Sequence, residues 1–186
     1  MSKYLVTGAA GFIGSALAQQ LITAGHEVVT IDNLSTGFVE AIPGGVHFIE
    51  GDCQDKSIID RLGTETFEAI YHIAGQSSGE VSFENPVYDL QTNTQSTLQL
   101  LSLCREIGCK KFIYASSMSV YGNVPDKPID ESQPTKPKSF YAIGKMASEH
   151  YLRIYNEQFG IATAALRLFN VYGPGQNLSN MKQGMV

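Results

Sequence analysis

Along this chain, short apolar runs alternate with stretches in which apolar residues recur every three or four positions. The first pattern predicts strands near Tyr4–Thr7, Glu27–Ile31, Val46–Glu50, Ala69–Ile73, Lys111–Ala115 and Ala162–Leu168. The second predicts helices over Gly11–Ala24 and Lys56–Leu62, a long one over Val87–Ile107, and another over Ser139–Phe159. Strands that are apolar throughout, and separated by helices, belong to a parallel sheet covered on both faces. The expected fold class is therefore α/β, with six strands in a doubly wound parallel sheet. The one long irregular stretch is "YGNVPDKPIDESQPTKPKS", whose four prolines exclude regular structure and whose length suits a functional loop.

The opening "LVTGAAGFIGSALA" admits two readings. One is a secretory leader, with Lys3, an apolar stretch and a small-residue cleavage site at Ala16-Leu17-Ala18. The other is a strand, a glycine turn and a helix. Gly8, Gly11 and Gly14 fall three apart, which breaks up a leader's apolar core but suits a bare backbone turning sharply from strand into helix. Phe12, Ile13, Ala16, Leu17, Gln20 and Leu21 then recur at helical spacing, so the turn sits at a helix N-terminus, where unpaired N–H groups attract a pyrophosphate. Cleavage after Ala18 would also remove the first strand, and the second reading is preferred.

Composition narrows the remaining choices. The 186 residues, 43% of them hydrophobic, suffice for one domain with a substantial core. A net charge of −5 with no long basic run excludes a nucleic-acid or anionic-membrane surface, and no stretch approaches the roughly 18 apolar residues of a membrane span. Cys53, Cys104 and Cys109 are odd in number and lack metal spacing, as do His26, His47, His72 and His150; free thiols in a reducing cytoplasm are expected, and no metal site.

The second strand ends in "VVTIDNLS", with Asp32 about twenty residues beyond the glycine turn, where an acid meets the adenosine ribose of a dinucleotide. A carboxylate there repels a 2′-phosphate, which favours NAD over NADP. Alone, Asp32 with Asn33 would as readily start an Asx turn. The Gly-x-x-Gly-x-x-Gly spacing, with Thr7 before it and Asp32 after, resembles the extended short-chain dehydrogenase/reductase family, whose members carry a Rossmann-like NAD-binding domain. "EGDCQD" looks like that family's adenine-contacting turn, "HIAG" like its strand-four stretch beside the cofactor, and Asn93 like the asparagine that steadies the catalytic end. The resemblance thus implies cofactor contacts from Gly8, Gly11, Phe12, Ile13 and Gly14 at the turn and from Asp32, Asn33, Asp52 and Cys53 at the adenosine end. At the nicotinamide end it implies Ile73, Ala74, Gly75, Asn93, Tyr141 and Lys145.

In "SFYAIGKMASEH", Tyr141 and Lys145 lie four apart, on one face of a helix. By itself this is also an ordinary amphipathic face. A tyrosine, with its unperturbed pKa near 10, becomes a usable proton shuttle if an ammonium and an oxidised nicotinamide stabilise its phenolate, so a lowered pKa is expected. Upstream, "FIYASSMSVYG" is a strand ending in hydroxyls at the carboxyl edge of the sheet, where ligands bind in such folds. By likeness to the family's strand-five motif, Ser117 aligns with the catalytic hydroxyl, with Ser116 and Ser119 structural.

Within the family the likeness is closest to nucleotide-sugar epimerases and dehydratases. "LRLFNVYGPGQ" is especially specific, its Asn170 matching a sugar-nucleotide contact, and Ser77 is a further substrate-side candidate with Ser117 and Tyr141. Dehydratases of this group carry an acidic pair after the catalytic hydroxyl; here Met118 and Ser119 occupy those places, and neither titrates usefully near neutral pH. Epimerisation needs no such group, so the resemblance implies a UDP-hexose 4-epimerase working through a 4-keto sugar, with a keto-sugar reductase as the alternative enzyme. It also implies a homodimer built on the helices Val87–Ile107 and Ser139–Phe159. Two departures stand out. Ser96 replaces the glycine usual in Asn-x-x-Gly-Thr, and is expected to disturb helix packing. Family members also continue beyond Gly173-Pro174 into a smaller substrate lobe, whereas this chain closes with "NLSNMKQGMV". A protein that binds NAD without turning sugar over therefore stands as the reading from another class.

Overall fold

Leu5, Val6 and Thr7 are wholly buried, and with Lys3 and Tyr4 they form the central strand β1 (Lys3–Thr7). The computed structural model describes residues 1–124 and 126–176; Pro125 of the proline-rich loop and the closing stretch Asn177–Val186 lie outside it. After β1 come α1 (Phe12–Thr23), β2 (Glu27–Asp32), β3 (His47–Glu50), α2 (Lys56–Asp60) and β4 (Ala69–His72). The second half adds α3 (Gly79–Glu84), α4 (Pro86–Leu90), a π turn (Gln91–Gln95), α5 (Ser96–Glu106), β5 (Lys111–Ser117), α6 (Phe140–Phe159) and β6 (Ala162–Leu168).

Among the described residues the strands form one sheet in the order β3-β2-β1-β4-β5-β6, every pair parallel. This is the doubly wound order, whose ligand crevice opens beyond the carboxyl ends of the two central strands. Alternation along β1 sends Leu5 into a cluster with Leu100 and Leu101 of α5 and Leu152 of α6, and Val6 into one with Ala18 of α1, so helices cover both faces. The strand at the β6 edge is half exposed, with Leu166 48% accessible.

All six expected strands are present, their ends within two residues of expectation. One helix was not expected, and one helical expectation needs correction. The short α3 carries too few residues for a periodic signal; Ser78 caps it by accepting from Val81 N. The long helix expected over Val87–Ile107 starts at Pro86, behind the Asn85 cap, and widens into the π turn before resuming as α5. Hydroxyls run along this stretch: Thr92 Oγ1 donates to Tyr88 O at 2.9 Å, Ser96 Oγ to Thr92 O at 2.6 Å and Thr97 Oγ1 to Asn93 O at 2.7 Å. Such back-bonding competes with the backbone ladder and deforms helices, and the wider turn carries Asn93 fully into the interior.

The disturbance expected at Ser96 stays within the helix, where its bond to Thr92 O borders the π turn, and the side chain itself is accommodated in the interior. It is buried and joins a chain of hydrogen bonds across the sheet. Thr7 Oγ1 accepts from Ile73 N and Ala74 N, both at 3.1 Å, and lies 2.9 Å from His72 Nδ1; His72 Nε2 lies 3.3 Å from Ser96 Oγ. With two N–H groups already on its oxygen, Thr7 donates its proton to Nδ1. Ser96 gives its own to Thr92 O and so accepts from Nε2–H. The ring is thereby the neutral Nε2–H tautomer. Burial, reinforced by the Lys145 charge, lowers its pKa to about 3.

A histidine titrating near 6.5 when unfolded and about 3 when folded binds its proton preferentially in the unfolded chain, so stability falls as pH drops through that window. Urea unfolding at stepped pH should show the wild-type protein losing up to about 1.4 kcal/mol per unit more than His72→Gln below pH 6.5.

Candidate functional site

Beyond the ends of β1 and β4 the backbone narrows to a turn that tolerates no side chains. Gly8 has φ +79° and lies so close to β4 that a Cβ would stand 2.8 Å from Ala74 N. Gly14, in the first turn of α1, packs directly on that loop, and a Cβ there would overlap the Gly8 carbonyl. Gly11 occupies the N-cap without a side-chain hydrogen bond, and the first turn of α1 holds no acid. Its N–H groups thus remain available to an anion.

Asp32, at the end of β2, is tied at both oxygens: Oδ2 accepts from Ala10 N at 2.9 Å and Oδ1 from Leu34 N at 2.8 Å. The carboxylate therefore secures the glycine turn and starts an Asx turn, and it still borders the cleft. Asp52 caps its own loop through Gln54 N at 2.9 Å and receives Asn33 Nδ2 at 2.7 Å. Cys53 is buried, and burial first, then the Asp52 and Asp32 charges, push its thiol far above the ordinary range, leaving it neutral.

The opposite wall comes from β5 and α6. Ser139 caps α6 by accepting from Ala142 N at 3.1 Å, and two residues on Tyr141 enters the cleft, with Lys145 one turn further. Lys145 is 4% exposed; its Nζ donates to Ala115 O at 2.9 Å and lies 4.8 Å from the Tyr114 ring centre and 5.6 Å from that of Tyr141. Burial lowers its pKa to about 8, with Asp89 opposing. The expectation for Tyr141 is reversed in the protein alone: burial raises its pKa, the Ser117 hydroxyl opposes, and the Asp89 charge adds to the rise. Desolvation disfavours the phenolate more than the nearby hydroxyl favours it. Ser117 Oγ also accepts from Ser119 N at 3.2 Å, which holds the end of β5 in a tight turn. Its neighbour Ser116 donates to Glu149 at 2.6 Å, and Glu149 is gripped by the Nε–Nη2 edge of the Arg167 guanidinium.

These walls enclose a cavity of about 1000 Å³. It is lined by the turn residues Gly8, Gly11, Phe12, Ile13 and Gly14, by Asp32, Asn33, Asp52 and Cys53, and by Ile73, Ala74 and Gly75. Ser77, Ser117, Tyr141, Lys145 and Asn170 complete the expected set at the other end. Asn93 is the exception, buried behind Gly75 and not on the lining, because the π turn draws it inward. Sequence reasoning missed the loop Ser35, Thr36 and Gly37, which borders the cleft beside Asp32; its cluster of small polar residues after a strand was the available signal. It also missed Asp89, whose burial no periodic pattern announces, and Gln76, which borders the cleft and donates to Asp89.

Residues 4–186 match the model of the NAD dependent epimerase/dehydratase family. The chain is 35% identical over 178 residues to the UDP-glucose 4-epimerase of Streptomyces lividans, covering 95% of this chain and 54% of that protein. Among solved structures it is similar to the Thermus thermophilus UDP-glucose 4-epimerase complex with NAD, with TM-score 0.90, 43% identity, and 94% of this chain and 57% of that one covered. It is also similar to the Thermotoga maritima UDP-glucose 4-epimerase with UDP-glucose, with TM-score 0.93, 37% identity, and 98% and 60% covered. The chain spans about half the length of the curated relatives it matches.

Gly14→Ala should force the glycine turn and α1 apart and cost about 1–3 kcal/mol of stability, read as a lower urea midpoint.

Proposed function

The chain belongs to the NAD-dependent epimerase/dehydratase family, and from that membership we propose that it carries the NAD-binding and catalytic part of a UDP-hexose 4-epimerase, residues 1–186 forming the cofactor domain. The observation that supports this reading is that Ser117, Tyr141 and Lys145 line the same cleft as the bare glycine turn. The residues present fit NAD: the open N-terminus of α1 suits the pyrophosphate, and the Asp32 carboxylate suits a free 2′-hydroxyl and repels a phosphate. Bound NAD would supply the acceptor, and later the donor, of one hydride at carbon 4 of the sugar.

The remaining work falls to side chains of this chain. Ser117 orients the sugar hydroxyl, and Tyr141 Oη takes its proton and later returns it. Because burial alone raises the phenol's pKa, ionisation near neutral pH requires positive charge beside it; Lys145 provides one such charge, itself kept within reach of neutrality by burial. Asn170, at the far end of the cleft, contacts the sugar nucleotide. Met118 and Ser119 offer no acid or base after Ser117, so the keto sugar is re-reduced, not dehydrated.

The exposed apolar side chains Phe83, Val87 and Leu90 lie on α3 and α4, and Phe140 and Ile143 lie on α6, with the Phe83 and Phe140 rings in edge contact at 5.8 Å. Val87 is 65% and Leu90 56% accessible, which is costly for a surface that stays wet. A second copy burying these helices against its own accounts for them. No helix among the described residues is long and apolar enough to cross a membrane. A sugar-nucleotide enzyme with three free thiols belongs in the cytoplasm.

Tyr141→Phe should leave NAD affinity within about threefold while slowing reduction of bound NAD by UDP-galactose by about 10²–10⁴-fold, followed by nicotinamide absorbance. If the wild-type protein binds NAD and UDP-galactose never reduces it, the reading as a non-catalytic binding protein replaces this one. Light scattering should give twice the chain mass, and Val87→Asp with Ile143→Asp should halve it; a wild-type mass of one chain would refute the dimer.

A further inference from the structure

Beneath the floor of the cleft, Asp89 on α4 is 1% exposed, and Asn93 on the π turn is fully buried. Asn93 Nδ2 donates to the Gln76 carbonyl and to Asp89 Oδ1, both at 3.0 Å, and Gln76 Nε2 donates to the same Oδ1 at 2.8 Å. A primary amide has two hydrogens, and here both are committed to acceptors. The flipped amide would set its oxygen against a carbonyl and a carboxylate, so this orientation is dictated by the network. Asn93 Oδ1 is therefore turned to the other side, where it has no hydrogen-bond partner among the described residues.

What it faces there is informative. A Cβ placed on Gly75 would overlap Asn93 Oδ1 and lie 3.4 Å from Lys145 Nζ, so the amide oxygen and the ammonium flank the same glycine. Lys145 Nζ has one acceptor, Ala115 O, and further protons to give. Gly144 in turn brings α6 against the π turn, since a Cβ there would stand 3.1 Å from Thr94 Oγ1, with Asp89 Oδ2 in ordinary contact at 3.6 Å.

We propose that Asp89 is a positioning residue: by occupying the Asn93 amide hydrogens it aims Asn93 Oδ1 at the Lys145 ammonium and holds that ammonium in place beneath Tyr141. Its functional meaning rests on the reading of Tyr141 and Lys145 as the catalytic pair. The titratable groups facing Lys145 are Asp89 from α4, Tyr141 from α6 itself, Tyr114 from β5 and His72 from β4. Since burial brings Lys145 to about 8, its titration is measurable without cofactor or turnover.

The test follows the ε-carbon resonance of Lys145, in protein carrying ¹³C at lysine Cε, assigned by Lys145→Met. Asp89→Asn keeps an acceptor for both donors and removes the charge alone; Asp89→Leu removes both. Both variants should titrate below the wild type, Asp89→Leu by about one unit more than Asp89→Asn, and the difference between them should vanish in an Asn93→Ala background. If Asp89→Leu does not fold, Asp89→Ala lacks the acceptor equally and replaces it. Equal shifts in the two variants would assign Asp89 a charge effect only and overturn the proposal. An unmoved Lys145 with a lowered melting temperature would overturn it in favour of a purely structural role. A separate NAD titration of the wild-type protein distinguishes the two readings, because failure to bind NAD would sink the catalytic assignment and leave the lysine titration interpretable.

Discussion

The structure depends on the close approach of two stretches of backbone where β1 and β4 part. Gly8 meets Ala74 with no room for a side chain, and Thr7 gathers the N–H groups of Ile73 and Ala74 onto one hydroxyl. This contact stitches the two strands together just where their connections leave for different destinations. It also sets the height of the glycine turn against the sheet, and so the place where the open end of α1 points into the cleft. Through His72 and Ser96 the same hydroxyl is linked to the stretch that carries Asn93. One junction therefore joins the turn, the strand end beside it and the π turn whose buried amide lies beneath the cleft.

The second theme is the work that burial does on charge. Lys145 is surrounded by the Tyr114 ring, the Tyr141 ring and a backbone carbonyl, a setting that weakens its hold on a proton. Tyr141 is pushed the other way. In the protein alone the two groups are thus both biased toward neutrality, and the phenol awaits a positive neighbour before it can ionise. Asp89 stands behind both, held by Gln76 and Asn93 and shielded from water. One turn beyond Lys145 on α6, Glu149 ties Ser116 of β5 to Arg167 of β6, which links the strand end bearing Ser117 to the helix bearing Tyr141.

Much of this was legible because it rests on local chemistry. The three glycines could be read as a turn since no other residue supplies a bare backbone at that spacing, and Tyr141 and Lys145 could be placed on one helix face from their separation alone. Asp32 was legible as an acid at the end of β2. Its Asx turn to Leu34 N was open to local reading as well, but the bond from Ala10 N was not, because Ala10 meets it only after the glycine turn has closed. The π turn escaped the periodic reading, which cannot register one extra residue in a helical turn, and with it escaped the inward position of Asn93.

By itself the sequence determined the alternation of strand and helix, the sharp turn after β1, and the order in which the hydroxyl, phenol and amine follow one another, since each depends on neighbours a few residues away. Only the tertiary structure decided how protons and charges are distributed among them. The tautomer of His72, the flip of Asn93, the raised phenol of Tyr141 and the shared carboxylate of Asp89 arise where groups from different elements are brought together away from water. There the dielectric is low, and each hydrogen bond is consequential.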